Sequence, residues 1–343
     1  MLTEAHVKPV LAIFMLALVG GCATVSSVPS PGIVDGKPSL TTARRTVTFG
    51  AFNFLAPPYR DGHRLFAVNR QPNWMSRAMA AARTQGYLFV ADEAKNVVDI
   101  FPKHHGRSPI GMISNGVASP DGLAVDGASN VYVTNLANAT VTVYAPPYTG
   151  GPTATYSQAL TDPVAVAVGR NGTVYVSNFY SGQVVEYAHH GAKPSRILSI
   201  AGAYTEGVAL DAQNNLYVGF NGPSGPGDVM KYAPHSSTGT DLGTIVSFCG
   251  GLAIDKNDNL LLADQFGNPP AVDVFPPGTT TPSQTIANGF YDPYGVALSG
   301  SDLYVVDSSP QQTVQQISYP SGVTVNTIGG FTQALGVAVT KGS

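Results

Sequence analysis

Acidic and amide side chains beside short apolar runs are the residues of this chain best suited to chemistry. One set stands just before such runs and comprises Asp121, Asp162, Glu206 and Asp292. A second set closes such runs and comprises Asp92, Asn135, Asn178, Asn221, Asp264 and Asp307. Carboxylate and amide oxygens are preferred ligands of hard cations. A fold that brings both sets to one rim could therefore bind Ca²⁺ or another divalent cation there.

The same residue types also have a purely structural use, and both interpretations stay open at this point. Asp and Asn cap turns by accepting hydrogen bonds from nearby backbone N–H groups. The closing set recurs in every copy of the pattern, which favours capping. Asp121 and Glu206 do not recur in every copy, and they are the predicted metal ligands. No residue is assigned a catalytic role, because the chain has no nucleophile elbow, phosphate loop or Cys-x-x-Cys motif.

A repeat that runs through most of the chain positions these side chains. Each copy opens on Gly or Ala, at Gly122, Ala165, Gly207, Gly251, Gly295 and Gly336, so successive copies are 41 to 44 residues apart. A copy contains a strand of the Gly-Leu-Ala-Val type, a second strand that closes on Asp or Asn, a third that ends on an aromatic residue and a more polar fourth. A period of this size with β-type content predicts an all-β propeller. Tyrosines at one position of the second strand are expected to pack between blades: Tyr132, Tyr175, Tyr217 and Tyr304.

The two ends of the repeat predict how the ring closes. The first copy begins at Tyr87 with a second strand and has no clear first strand, and residues 335–339 form a first strand with nothing after it. The C-terminal strand is therefore expected to complete the N-terminal blade, which gives six blades. Residues 47–86 form an extension or partial blade, and a seventh blade is the alternative if they contribute one. The propeller is assigned to residues 87–343.

The N-terminal segment reads as an export and anchoring signal. An apolar run at residues 10–19 follows Lys8, and the run is too short for a comfortable membrane span but suits a signal peptide covering residues 1–21. The tetrapeptide Val19-Gly20-Gly21-Cys22 resembles the bacterial lipobox, which implies lipidation of Cys22. Residues 22–46 are rich in Ser, Thr and Pro and are predicted to be a flexible tether. These features predict a lipid-anchored protein of the bacterial cell envelope, at the outer membrane or the cell surface.

Composition limits the choice of partners. Only 11% of the residues are charged, the net charge is −3 and no stripe of Lys and Arg is present, so nucleic acid is not an expected partner. The expected partners are the membrane, through the lipid at Cys22, and an unidentified small molecule or envelope protein. We expect a monomer. Cys249, at the start of a predicted inner strand, is expected to behave as a small buried hydrophobic residue.

Two repeat copies show a family resemblance. Residues 122–135 (GLAVDGASNVYVTN) and 251–264 (GLAIDKNDNLLLAD) resemble NHL-type repeats and the related bacterial YVTN-type propeller repeats. The resemblance covers residues 87–343. It implies a propeller that serves as a binding scaffold, a surface-layer component or, less often, an enzyme. The stretch around Asp121 also looks like part of the gluconolactonase-like, senescence-marker-like six-bladed lactonases, and Glu206-Gly207 loosely resembles their Glu-Gly metal motif. That resemblance implies Asp121 and Glu206 as Ca²⁺ ligands.

Three functions follow from these observations as expectations. The first is an envelope scaffold that binds a ligand or protein at the rim of the channel and catalyses nothing. The second is a divalent-metal-dependent lactonase or related hydrolase that uses Asp121 and Glu206. The third is a structural envelope protein.

Overall fold

The computed structural model describes residues 85–104, 106–223 and 225–340. The predicted signal peptide, Cys22, the tether and almost all of the predicted extension lie outside this part of the chain. The described residues form 24 strands and one 3₁₀ turn at Leu136–Asn138. Within these ranges no helix is long and apolar enough to cross a membrane.

The strands form six four-stranded antiparallel sheets arranged as the blades of a propeller. Blade 1 contains, from the axis outward, β24 (Ala334–Val339), β1 (Tyr87–Asp92), β2 (Val97–Pro102) and β3 (Gly111–Ile113). Blade 2 contains β4 (Pro120–Val125), β5 (Val131–Asn135), β6 (Thr140–Tyr144) and β7 (Ala154–Tyr156), and blade 3 contains β8 (Pro163–Val168), β9 (Val174–Asn178), β10 (Gln183–Tyr187) and β11 (Pro194–Ser199). Blade 4 contains β12 (Tyr204–Leu210), β13 (Leu216–Asn221), β14 (Gly227–Tyr232) and β15 (Gly239–Asp241). Blade 5 contains β16 (Cys249–Ile254), β17 (Leu260–Asp264), β18 (Ala271–Phe275) and β19 (Gln284–Ile286), and blade 6 contains β20 (Pro293–Ser299), β21 (Asp302–Asp307), β22 (Thr313–Ser318) and β23 (Val323–Ile328).

The ring closes as the sequence predicts. Strand β24 pairs antiparallel with β1, with Leu88 opposite Val339 and Val90 opposite Val337. Beyond the strand, the Tyr87 N–H donates to Thr340 Oγ1 at 2.7 Å. The last strand thus supplies the inner strand of the first blade, and the described residues form six blades.

Apolar clusters between neighbouring blades make up the core. The second strands are buried on both faces, because each blade packs between two others. Tyr132 packs against blade 3, Tyr217 against blade 5 and Tyr304 against blade 1, as their common position predicts. Cys249 is fully buried in the cluster between blades 4 and 5.

The direction of the strands defines two faces of the ring. The loops that lead into first strands lie at one end of the axis together with the loops from second to third strands; this end is called the front face. The turns between first and second strands and the loops from third to fourth strands lie at the other end, the rear face.

Candidate functional site

An irregularity in the inner strands places side chains at the axis near the front face. The register between first and second strands shifts between Pro120 and Leu123 in blade 2, and equivalent shifts occur in blades 4 and 6. Such bulges re-aim side chains away from the regular alternation of a strand. Asp121, Glu206 and Tyr294 stand inside these irregularities.

Asp121, Glu206 and Tyr294, called the axial group below, occupy the same position of the repeat, directly before the Gly or Ala that opens each copy. In blades 1 to 6 this position holds Leu335, Asp121, Val164, Glu206, Gly250 and Tyr294. Polar residues therefore alternate with apolar or small ones around the ring. Blades 2, 4 and 6 bring a carboxyl, a carboxyl and a phenol to the wall of the same axial cavity.

Close contact between the inner strands keeps this cavity small. A Cβ atom added to Gly251 would lie 2.7 Å from the carbonyl oxygen of Tyr294, and one added to Gly336 would overlap the carbonyl oxygen of Asp121. The glycines of the repeat are thus required because backbone meets backbone around the axis. The cavity has a volume of about 80 Å³. That is room for an ion or a few water molecules, whereas small-molecule sites usually measure about 300–1,000 Å³.

One carboxyl oxygen of the axial group has no hydrogen-bond partner among the described residues. The Tyr294 hydroxyl donates to Asp121 Oδ2 at 3.1 Å and also interacts with the Glu206 carboxyl. Among the described residues no donor reaches Asp121 Oδ1, although Asp121 is only 1% exposed. A buried polar atom without a partner is costly and marks a place for a ligand, an ion or water.

Burial dominates the electrostatics of the two carboxyl groups. Burial raises the pKa of Asp121 well above its usual range, the nearby carboxylates of Glu206 and Glu93 add to the rise, and the Tyr294 hydrogen bond opposes it. Burial likewise raises the pKa of Glu206 to about 8. Burial therefore favours the protonated form of both carboxyl groups, and a cation beside them would favour the charged form.

The side-chain amide of Gln265 is a further donor without a partner in the described part of the chain, and it lies beside Gly250 of blade 5. Gln265 is 4% exposed, and no acceptor among the described residues reaches its Nε2 atom. This atom covers Gly250, where a Cβ atom would meet it at 2.7 Å. The amide thus occupies the space that blade 5 leaves open by having glycine at the shared position.

The predicted strand-end residues all act as caps. Asp307 Oδ1 accepts hydrogen bonds from the backbone N–H groups of Tyr291 and Asp292 at 3.0 and 2.8 Å, in the loop that leads into the first strand of its own blade. The corresponding bonds are made by Asp92, Asn135, Asn178 and Asp264 within their blades and by Asn221 to Cys249 of the next blade. The structure therefore uses these oxygens to hold the front-face loops.

The two remaining predicted rim acids, Asp162 and Asp292, do not line the axial cavity. Asp162 accepts hydrogen bonds from the Tyr180 N–H and the Thr161 hydroxyl. Burial raises the pKa of Asp292 to about 6, with the Asp307 carboxylate adding to the rise. The structure thus brings Asp121 and Glu206 together and leaves Asp162 as a loop cap. Among the described residues, no three His, Cys, Asp or Glu side chains are close enough to hold a metal ion.

Aromatic side chains lie at the front face of blades 3 to 6, and three of them are exposed. Phe179 stacks on Tyr204 with ring centroids 5.2 Å apart, and Tyr180 packs edge-on against both rings. Phe248 packs on Phe266 at 5.4 Å. Tyr180 is 59% exposed, Phe266 42% and Tyr291 61%. Neither this surface nor the role of Tyr294 was predicted from the sequence, although the position of Tyr294 directly before a repeat glycine could have revealed that role.

Comparison with known proteins supports the fold. No protein-family model matches the chain, and no curated protein matches it in sequence. A chain from the crystal structure of a nidogen/laminin complex is similar with a TM-score of 0.61 at 18% identity, over 74% of this chain and 98% of that one. A protein of unknown function from Bacteroides caccae is similar with a TM-score of 0.58 at 12% identity, over the same shares of the two chains. The chain is a six-bladed β-propeller.

Proposed function

We propose that this propeller is an exported, lipid-anchored scaffold that binds a protein of the cell envelope on its front face and catalyses no reaction. The exposed aromatic surface of blades 3 to 6 carries this proposal. Aromatic side chains are enriched at protein interfaces, and large exposed ones in a cluster mark an interaction site. The small axial cavity adds to the argument, because a partner must then bind over the face and not inside the ring.

Two further observations support parts of the proposal. One structural neighbour is a chain of a nidogen/laminin complex, so a similar ring occurs in a solved complex. The apolar run at residues 10–19 and the lipobox-like sequence that ends at Cys22 support export and anchoring. Substitution of Cys22 by Ser is expected to release the protein from membrane fractions of its host.

Site-specific photo-cross-linking in intact cells tests the binding face. A photoreactive phenylalanine replaces Tyr180 or Tyr291 of the full chain, and control variants carry it at Ile197 and Val323, which are exposed apolar residues of the outer strands β11 and β23. Both front-face positions are expected to cross-link the same protein. The two positions on the outer strands are expected to give no cross-link to that protein. Equal yields from all four positions would contradict the proposal.

A second candidate is a divalent-metal-dependent hydrolase of the lactonase type. The unpartnered Oδ1 of Asp121 beside Glu206 favours it, since these two carboxylates would hold the ion. A bound Ca²⁺ takes six to eight oxygens, so two side-chain carboxylates meet only part of its need.

Thermal unfolding distinguishes the two candidates. An ion that binds only the native state stabilises it by about 2.7 kcal/mol at a hundredfold excess over Kd. The unfolding temperature is measured in EDTA and then with Ca²⁺, Mg²⁺, Mn²⁺ or Zn²⁺. An increase that disappears in the Asp121→Asn, Glu206→Gln variant would support the hydrolase and make lactone assays the next step. No response to any of the four ions would exclude it.

A further inference from the structure

The rear face carries a second cavity that the proposed function does not use. A depression of about 950 Å³ extends over the rear ends of blades 3 to 6. Its volume is within the range of sites that bind small molecules, and it is far larger than the axial cavity.

Apolar side chains form the floor of this depression. Four half-buried residues at or next to the ends of the inner strands of successive blades line the cavity: Val168, Leu210, Ile254 and Leu298. They leave an apolar surface at the centre of a polar face. A ligand that fits this floor needs an apolar body.

The acidic groups in the walls are already neutralised or saturated with donors. Asp211 accepts hydrogen bonds from Asn215 and lies 3.6 Å from the Lys231 ammonium. Asp255 accepts from the backbone and side chain of Asn259 and from the Tyr319 hydroxyl at 3.0 Å. These carboxylates close the rear turns and do not need a ligand.

Two cationic side chains in the walls are available to a ligand. Arg170 belongs to the rear turn of blade 3 and Lys256 to that of blade 5, and both are exposed and line the cavity. Among the described residues neither one forms a salt bridge. Cations above an apolar floor are complementary to an anionic head on an apolar body.

We propose that the rear depression binds a small amphiphilic anion, with a carboxylate or phosphate held by Arg170 and Lys256 and an apolar body placed on the ends of the inner strands. This site is independent of the front face, so the failure of one proposal leaves the other intact.

Calorimetric titration of the full chain with simple probes tests the proposal, using Cys22→Ser to prevent lipidation in every sample. The probes are 4-phenylbutyrate and phenyl phosphate, with 4-phenylbutylamine as the cationic counterpart of the first. One or both anions are expected to bind at least tenfold more tightly than the amine, and which anion binds identifies the head group.

Charge-removing variants locate the site. Lys256→Gln and Arg170→Gln are each expected to weaken binding about tenfold, and their exposed positions should leave the unfolding temperature unchanged. Lys193→Gln is the matched control, because Lys193 is an exposed lysine of the third-to-fourth-strand loop of blade 3 and does not line the cavity. Equal binding of anion and amine, an equal loss in Lys193→Gln, or no binding of either anion at millimolar concentration would overturn the proposal.

Discussion

The Tyr294 hydroxyl of blade 6 donates a hydrogen bond to Asp121 Oδ2 of blade 2, 3.1 Å away, and so joins two blades that are not neighbours in the ring. Blade 1 lies between them and contributes Leu335 at the same repeat position. The bond is possible because the inner strands converge at the axis. It also leaves Asp121 Oδ1 as the unpartnered atom of the group.

Replacing Tyr294 by Phe is expected to lower the free energy of unfolding by about 1–3 kcal/mol, because a second oxygen of a buried carboxyl group then loses its partner. Urea unfolding measures the change. Tyr291→Phe is the control: Tyr291 is 61% exposed on the same face, so the loss of its hydroxyl should leave the free energy of unfolding unchanged. Equal effects of the two substitutions would show that the bond to Asp121 contributes nothing.

Glu206→Gln is expected to flatten the dependence of stability on pH. The pKa of Glu206 is raised from 4.5 to about 8 by burial, so the native state binds more protons than the unfolded state between these values. The free energy of unfolding therefore falls as pH rises through this window, by up to about 1.4 kcal/mol per pH unit. The stabilisation that comes from the proton on Glu206 is complete below pH 4.5 and is lost as pH rises through 8. The variant keeps a neutral side chain and loses the contribution of Glu206 to this slope.

Urea unfolding at a series of pH values from 4.5 to 8.5 measures the slope for Glu206→Gln. Asp258→Asn, in a rear turn of blade 5, is measured alongside as a control for the loss of one carboxyl group. A wild-type stability that rises with pH across this window would contradict the assigned burial of Glu206.

Asp307→Ala is expected to lower the free energy of unfolding by about 1–2 kcal/mol, because the N–H groups of Tyr291 and Asp292 lose their shared acceptor. Asp307→Asn should cost far less, since an amide oxygen makes the same bonds at Asn135 and Asn178. Thermal unfolding of both variants tests this prediction. An equal loss in the two would mean that the negative charge, and not the cap, is what stabilises the loop.

Gly336→Ala is expected to prevent closure of the ring or to destabilise it severely, because the added methyl group overlaps the Asp121 carbonyl. Gly127→Ala is the matched control, as a Cβ atom at Gly127 meets nothing within 4 Å. The yield of folded monomer in gel filtration and the unfolding temperature report the result. A Gly336→Ala protein as stable as the Gly127→Ala protein would disprove the backbone contact.

Much of the fold could be predicted because a repeat specifies each blade several times. The Gly or Ala that opens each copy marks the inner strand, and the unmatched strands at Tyr87 and at residues 335–339 predict closure. The axial group was only partly predictable. Asp121 and Glu206 could be predicted as site residues because acidic side chains are unusual at that position of the repeat. Tyr294 was not predicted, because it resembles the many tyrosines that pack between blades.

The remaining features depend on geometry that sequence spacing does not contain. Tyr180 and Phe266 occupy the same position of the repeat, two residues after the one that closes a second strand, and Tyr291 lies in a loop that leads into a first strand. This spacing does not show which of the aromatic side chains stay exposed. The charge that the rear depression offers to a ligand depends on which of its carboxylates already accept hydrogen bonds. Asp255 and Lys256 are adjacent in sequence, yet only the lysine is available to a ligand.

The pairing of β24 with β1 determines when the protein can finish folding. During synthesis the first blade consists only of β1, β2 and β3, and its inner edge stays unpaired until residues 334–339 have left the ribosome. Joining strands that are some 250 residues apart is entropically expensive and slow, as Tyr87 and Thr340, 253 positions apart, illustrate. Until then the edge of β1 is a template for intermolecular strand pairing. The nascent chain therefore depends on protection from aggregation until residues 334–339 have been synthesised.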